Sequence, residues 1–249
     1  MAVVQAGGNN NYLGNIDIYV DPVTKKVIFS TASTYQTYTN YENEDVRLIL
    51  DQYIDEYDPI LNEVCGVAGE TCTSRDDLTT WVANTMLNAT GAQFAIGNVA
   101  GLRAANFVAN KNITYANLYE IIPFDNYLVV CTMTGDQIYR FASKSSLYYS
   151  FDENSISSFS SLSGSSTVYT VVVIEYVYYW NDFPVSNGTT TNLIQREVMV
   201  ADVRAKYSKG EKLYPSSNPY SALDNQLEAL SLPEVALFNS KEYLFIREY

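Results

Sequence analysis

Apolar and polar residues alternate along NIDIYVD (residues 15–21), and a second such run, VIFSTAS (27–33), follows the turn-forming DPVTKK. The chain is therefore predicted to open on two strands. From Glu42 the period lengthens. Val46, Ile49, Leu50, Tyr53, Ile54 and Tyr57 recur at three- and four-residue spacing with acids opposite, which predicts a helix to about Val64, closed by Pro59 and Gly66. A second helix is predicted from Arg75 to Asn88, capped by Ser74 or Asp76 and burying Leu78, Val82, Met86 and Leu87. QFAIGN (93–98) reads as a short strand.

Further on, TYANLYEII (114–122) predicts a brief helix leading to Pro123-Phe124. The strand NYLVVCTMT (126–134) is then turned at Gly135 into a helix, DQIYRFASKS (136–145). Residues 143–167, rich in Ser and Tyr, predict an ordered loop or short edge strands. VYTVVVIEYVYYW (168–180) is the strongest β-run, and its continuous apolar character predicts a strand buried in a sheet. A helix over NLIQREVMVADVRAKYS (192–208) is expected to end near Gly210. A short helix around Ala222–Leu230 and a terminal strand, KEYLFIREY, are expected to follow. Strands and helices mix without an internal repeat or regular βαβ alternation, so the predicted fold class is α+β, a mixed sheet with flanking helices.

Charge narrows the function classes. The 249 residues carry 15 Lys+Arg against 28 Asp+Glu, a net charge of −13, and the longest basic run is Lys25-Lys26. Such a surface repels nucleic acid and anionic membranes, so neither is an expected partner, and a phosphorylated ligand would depend on a few well-placed arginines. No apolar stretch is long enough for a membrane span. Histidine is absent, which removes the commonest catalytic transition-metal ligand and the usual general base near neutral pH. No Asp/Glu series has the spacing of a known Mg²⁺ or Ca²⁺ loop, so no cofactor is expected in this chain.

Cys65 and Cys72 bracket CGVAGETC and are expected to close a small disulfide ring, whereas Cys131, inside YLVVCTM, is expected to be a buried free thiol. Sequons at Asn88 (NAT), Asn112 (NIT) and Asn187 (NGT), together with that disulfide, favour an extracellular or cell-surface setting. MAVVQAGGNNNY has neither a basic leader nor an apolar signal core, so an export signal is expected upstream or already removed. The 22 tyrosines exceed what one core needs and favour self-association.

From Arg75 to Phe141 the order DDLTTWVANTML, NVAGLR (98–103), NITYANLYEIIPFDN (112–126), VVCTMTGDQI resembles the C-terminal, substrate-binding domain of the 5′-nucleotidase family. VVQAGGNNNYLGNIDIYVD (3–21) resembles the last strands of that family's metallophosphoesterase domain. The resemblance implies three parts: remnant β-strands over 1–40, the nucleotidase-like domain over 41–215, and a C-terminal extension over 216–249. It also implies that two divalent metals would be held only by residues upstream of Met1, so that this chain by itself lacks the hydrolytic centre.

On that resemblance Asn98 and Arg103 reach the substrate, Phe124 is one of two rings that sandwich the base, and Asp182 with Phe183 forms the second aromatic turn. Arg75 adds a further phosphate contact. Each residue also has a plainer reading. Asn98 and Arg103 can cap and pair within their loop, Phe124 can serve the core, Asp182 and Phe183 a turn, and Arg75 a helix start. Val99 and Ala100 replace two glycines of the family loop, and Trp180-Asn181 replaces the glycine pair before Asp182. A β-branched Val resists both unusual φ and close backbone approach. The expected function is accordingly a non-catalytic nucleotidase-like domain in a structural or self-assembling extracellular glycoprotein. The alternatives are the substrate-binding part of an active 5′-nucleotidase and a nucleotide- or nucleoside-binding module.

Overall fold

The computed structural model describes residues 3–7, 11–38 and 42–217. The chain divides into two compact units, the first ending at Pro59 and the second starting at Ile60.

In the first unit, β1 (Tyr12–Val20) and β2 (Val27–Gln36) form the expected antiparallel hairpin. The Asp21 carboxylate closes its turn by accepting the backbone N–H groups of Val23 at 2.8 Å and Thr24 at 2.7 Å. These bonds hold its pKa below the usual value. α1 (Glu44–Leu61) crosses the unit boundary and starts at Asn43, whose side chain accepts the Val46 N–H. Pro59 lies inside the helix instead of ending it. Val46, Ile49, Leu50, Tyr53 and Ile54, the stripe that predicts the helix, are all exposed.

The second unit begins with β3 (Val64–Val67) and α2 (Asp76–Thr90), followed by β4 (Phe94–Asn98) and β5 (Asn112–Thr114). Next come α3 (Tyr115–Ile121), β6 (Tyr127–Thr134), α4 (Gly135–Ala142) and β7 (Leu147–Phe151). β8 (Val168–Ile174), α5 (Glu175–Tyr178), β9 (Thr189–Ile194) and α6 (Gln195–Ser208) complete it. Five strands make one mixed sheet in the order β7-β4-β8-β6-β9. Only β4 and β8 run parallel, and the other pairs are antiparallel. β3 and β5 form a separate small pair.

α2 buries Leu78, Trp81, Val82, Met86 and Leu87. The Trp81 indole N–H donates to Asp202 of α6 at 2.8 Å, which ties the two helices together. Arg75 occupies the N-cap of α2 without a capping side chain, and the Ser74 hydroxyl accepts the Asp76 N–H instead. Gly91, at φ +66°, closes the helix, with its N–H bonded to Leu87. α3 and α4 each open on a reciprocal capping box, Thr114 with Asn117 and Thr134 with Gln137.

The apolar run 168–180 does not stay extended. β8 ends at Ile174 and Glu175 begins α5, because the strand has reached the end of its partner β6, where Leu128 faces Ile174. Likewise Asn192–Ile194 belongs to the edge strand β9, and helix α6 begins only at Gln195.

Cys65 and Cys72 form no disulfide; both are free and buried, as is Cys131. From Val64 to Ala68 the chain is extended and paired, with Val67 opposite Asn112 and Ala68 bridged to Leu213, so it runs away from Cys65 without turning back. Cys72 is in turn fixed by a bridge to Phe107. The expected helix around Ala222–Leu230 and the terminal strand lie outside the described residues.

Candidate binding site at one end of the sheet

Strand register brings distant segments together. β4 and β8 are parallel and end side by side, and β6 begins opposite the end of β8. Tyr127 of β6 also faces Ile194, the last residue of β9, while Asn98 faces Leu147, the first of β7. One end of the sheet therefore collects the loop after Asn98, the Phe124 turn, the Lys144–Ser146 turn, the segment from Glu175 to Phe183, and the start of α6.

Asn98 closes β4 and is 8% exposed. Residues Val99–Gly101 form a single 3₁₀ turn that is held to the sheet by the Val99 N–H bonding to Ser146 at 2.9 Å. Neither Val99 nor Ala100 has a positive φ, so the loop is built without the backbone freedom that glycine would supply there. Gly101 is different. A Cβ on it would meet the Asn98 side-chain oxygen at 2.6 Å, so the retained glycine makes room for the carboxamide.

Arg75, Arg103 and Phe124 gather around this loop. The Arg75 guanidinium donates to the Leu102 carbonyl at 3.1 Å. The Arg103 N–H is fixed to Ile121 at 2.8 Å, and its guanidinium carbon lies 5.1 Å from the centre of the Phe124 ring. Phe124 is exposed, not a core residue.

Asp182 and Phe183 make their contacts within the protein at the same sheet end. Asp182 is exposed and pairs with Lys144, which holds its carboxyl below the usual range. Phe183 packs edge-on against Phe141, with ring centres 5.0 Å apart, and against Tyr178 at 5.0 Å. Lys144 also sits over the Phe141 ring at 4.0 Å. The aromatic turn thus braces the same sheet end from within.

The sequence reading missed Arg196. Its side chain is 7% exposed and donates to Asp125 at 2.6 Å, to Glu197 at 3.2 Å and to the Ile122 carbonyl at 3.4 Å. The guanidinium also lies 4.6 Å from the Tyr119 ring centre. Burial opposes its charge, but Tyr115 and Asp125 outweigh that and keep its pKa above the ordinary arginine value. Tyr115 donates to Glu197 at 2.7 Å, and burial pushes its phenol up to about 12. Arg196 from one side and the Arg103 backbone from the other hold the turn that carries Phe124. The signal for Arg196 was a charged residue at the head of a helix that turns apolar two residues on, at Val198, Met199 and Val200.

The chain has no histidine, and among the described residues no three Cys, Asp or Glu side chains converge as a metal site. No described helix is long and apolar enough to cross a membrane. Of the sequons, Asn88 and Asn112 are exposed. Asn187 is exposed too, but its carboxamide clasps Thr132, donating to the backbone carbonyl at 3.2 Å and the hydroxyl at 2.9 Å.

The family model for the 5′-nucleotidase C-terminal domain matches residues 62–188, just over half of the chain. The chain belongs to this family. The nucleotidase C-terminal domain seen here is 29% identical over 152 residues to the trifunctional nucleotide phosphoesterase protein YfkN of Bacillus subtilis. That match takes in 55% of this chain but only 10% of the relative. Solved structures that share its fold include the following two. One is a 5′-nucleotidase precursor from Thermus thermophilus, with TM-score 0.52 and 17% identity over 79% of this chain and 47% of that one. The other is a putative 5′-nucleotidase from Staphylococcus aureus in complex with alpha-ketoglutarate, with TM-score 0.55 and 11% identity over 79% and 48%.

Proposed function

We propose that this domain binds a nucleotide at the sheet end, and that none of its described residues breaks the phosphate ester. The observation that carries the reading is the convergence of Arg75, Asn98, Arg103 and Phe124 on one loop. A guanidinium can grip phosphate oxygens through two parallel bonds, and an exposed ring offers a base a stacking face. The buried Asn98 carboxamide, packed against Gly101, supplies a polar group on the same loop. Asp182 and Phe183 act indirectly, through Lys144 and Phe141. Calorimetry with AMP tests this. The reading predicts a dissociation constant below about 1 mM, a free energy beyond roughly −4 kcal/mol, and heat-free titration at millimolar AMP would refute it.

Two further roles have specific support. The domain corresponds to a tenth of YfkN, a protein named as a nucleotide phosphoesterase, which supports a role as the substrate-gripping part of a hydrolase whose two metals sit on other residues. Phosphate release from AMP by the full-length natural protein with added divalent metal, absent from this chain alone, is the expected result.

The exposed Leu13, Ile18, Ile28 and Phe29 of the hairpin support self-association instead. A concentration-independent monomer in light scattering would rule that out. An extracellular, glycosylated setting rests on the exposed Asn88 and Asn112. A mass shift on enzymatic deglycosylation of the native protein is its test.

A further inference from the structure

We infer that Asn187–Gly188 is a latent deamidation site, a chemically labile pair that the packing requires and the same contacts hold in check. Nucleotide binding plays no part in it.

The pair is the one Asn-Gly sequence in the chain. In deamidation the backbone nitrogen of the following residue gives up its proton and attacks the asparagine Cγ. The Cγ–Nδ2 bond breaks, ammonia leaves, and a cyclic succinimide forms. Water then opens either carbonyl of the ring, giving aspartate or isoaspartate. Amide and water thus become carboxylate and ammonium, with no oxidant or other co-reactant. Asparagine is thermolabile, and a following glycine, lacking a Cβ, leaves its own nitrogen least shielded and its backbone free to turn.

Packing calls for both residues. A Cβ on Gly188 would meet the Tyr178 ring at 2.6 Å and Val129 at 2.7 Å, so no larger residue fits without displacing them. β9 pairs with β6 through Thr190–Val129 and Thr189–Val130, and the same register carried two residues on places Asn187 opposite Thr132. There the Asn187 carboxamide stands in for a backbone peptide. It accepts the Thr132 N–H at 3.3 Å and donates to the Thr132 carbonyl at 3.2 Å and hydroxyl at 2.9 Å. An aspartate keeps the acceptor and lacks both donors.

The same contacts withhold the reaction. The electrophilic carboxamide is anchored across the sheet on Thr132. The nucleophile is occupied, because the Gly188 N–H donates to the Tyr178 hydroxyl at 2.8 Å. Both must let go before the ring can close, so conversion waits on local opening at the start of β9. β9 is an edge strand held by β6 alone, and its opening leaves the sheet interior intact. Once formed, the carboxylate faces the Thr132 carbonyl, and isoaspartate adds a methylene to the backbone beside Tyr178. Either product keeps the start of β9 unclasped and leaves β6 backbone groups open to a new partner.

The test is peptide mapping by mass spectrometry of the chain made without glycans and aged at mildly alkaline pH, both folded and in urea. Asn187 is expected to convert about tenfold or more slowly in the folded chain than in the unfolded one. Tyr178→Phe keeps the ring and frees the Gly188 N–H, and Thr132→Val keeps the volume and removes one acceptor. Each is expected to speed conversion at Asn187 by about threefold or more, while Asn154–Ser155 in the same chain keeps its wild-type rate. Equal rates in folded and unfolded wild type, or variants no faster than wild type at Asn187, would overturn the inference. Equal acceleration at Asn154 would place the cause in general unfolding and overturn the local clasp. Asn187→Asp supplies a second check, because it builds in the reaction product and leaves Tyr178 and Thr132 untouched. It is expected to lower the urea midpoint, and an unchanged midpoint would show that the fold does not need the amide.

Discussion

The Tyr148 hydroxyl lies 2.3 Å from where a side-chain carbon on Gly97 would sit, so the ring occupies space that only glycine leaves open. The two residues are cross-strand partners on β7 and β4, and the buried Gln195 side chain donates to the same hydroxyl at 2.9 Å. This contact joins the end of β4, which carries Asn98, to the first residue of α6.

Gly97→Ala is accordingly expected to destabilise the protein by roughly 1–3 kcal/mol through overpacking. Urea denaturation reads this as a lower midpoint at constant slope. An unchanged midpoint would mean that Tyr148 can move aside at little cost.

The Arg196–Asp125 pair is asymmetric, with side-chain exposures of 7% and 62%. Removing the carboxylate leaves a buried guanidinium short of one partner, whereas removing the guanidinium leaves Asp125 in water. Asp125→Ala should therefore cost roughly 1–2 kcal/mol and Arg196→Met less, because an uncompensated buried charge dominates such losses. Equal or reversed costs in denaturation experiments would contradict this assignment of the buried charge.

All three thiols are free and buried. Thiol titration without reductant should find three reactive groups per chain after denaturation and only slow reaction before it. Finding a single thiol in the denatured chain would restore the Cys65–Cys72 ring.

Burial pushes the Cys131 thiol up from 9.0 to about 12. An acid whose pKa is raised by folding stabilises the fold below its unfolded pKa. That contribution is lost as pH rises, because the unfolded chain releases its proton first. Stability should therefore fall between about pH 9 and 12, with Cys131→Ala showing a shallower fall than wild type. Parallel profiles for the two proteins would show that Cys131 plays no part. Cys72, raised to about 11, and Tyr115, raised to about 12, lose stability over overlapping ranges and remain in the variant.

Much of the fold was legible because burial is periodic. Leu78, Val82, Met86 and Leu87 mark one face of α2, and the turn residues around Asp21 mark the hairpin. β9 was not legible, since TTTNLI is a polar edge strand defined by its partner β6 and not by its own pattern. The end of β8 was hidden for a similar reason. EYVYY remains β-prone in composition, and only the finite length of β6 stops the strand at Ile174.

The site was partly legible. Asn98, Arg103 and Phe124 sit in matching motifs, and the structure brings Arg103 onto Phe124. Val99 and Ala100 replace two glycines of the family loop, and their turn here has no positive φ. Arg196 was invisible as a support of the Phe124 turn, since an arginine on a helix reads as surface until the fold closes Asp125 and Tyr119 around it. The cysteine pair misled because sequence proximity says nothing about a chain held straight by β-bridges on either side.

The measurement that tests the central claim most directly is an amide chemical-shift map of the protein titrated with AMP. The account predicts saturable shifts concentrated at Arg75, Asn98–Arg103 and Phe124–Asn126, with smaller ones at Lys144–Ser146. Absence of shifts there, or a map centred elsewhere on the domain, would contradict it.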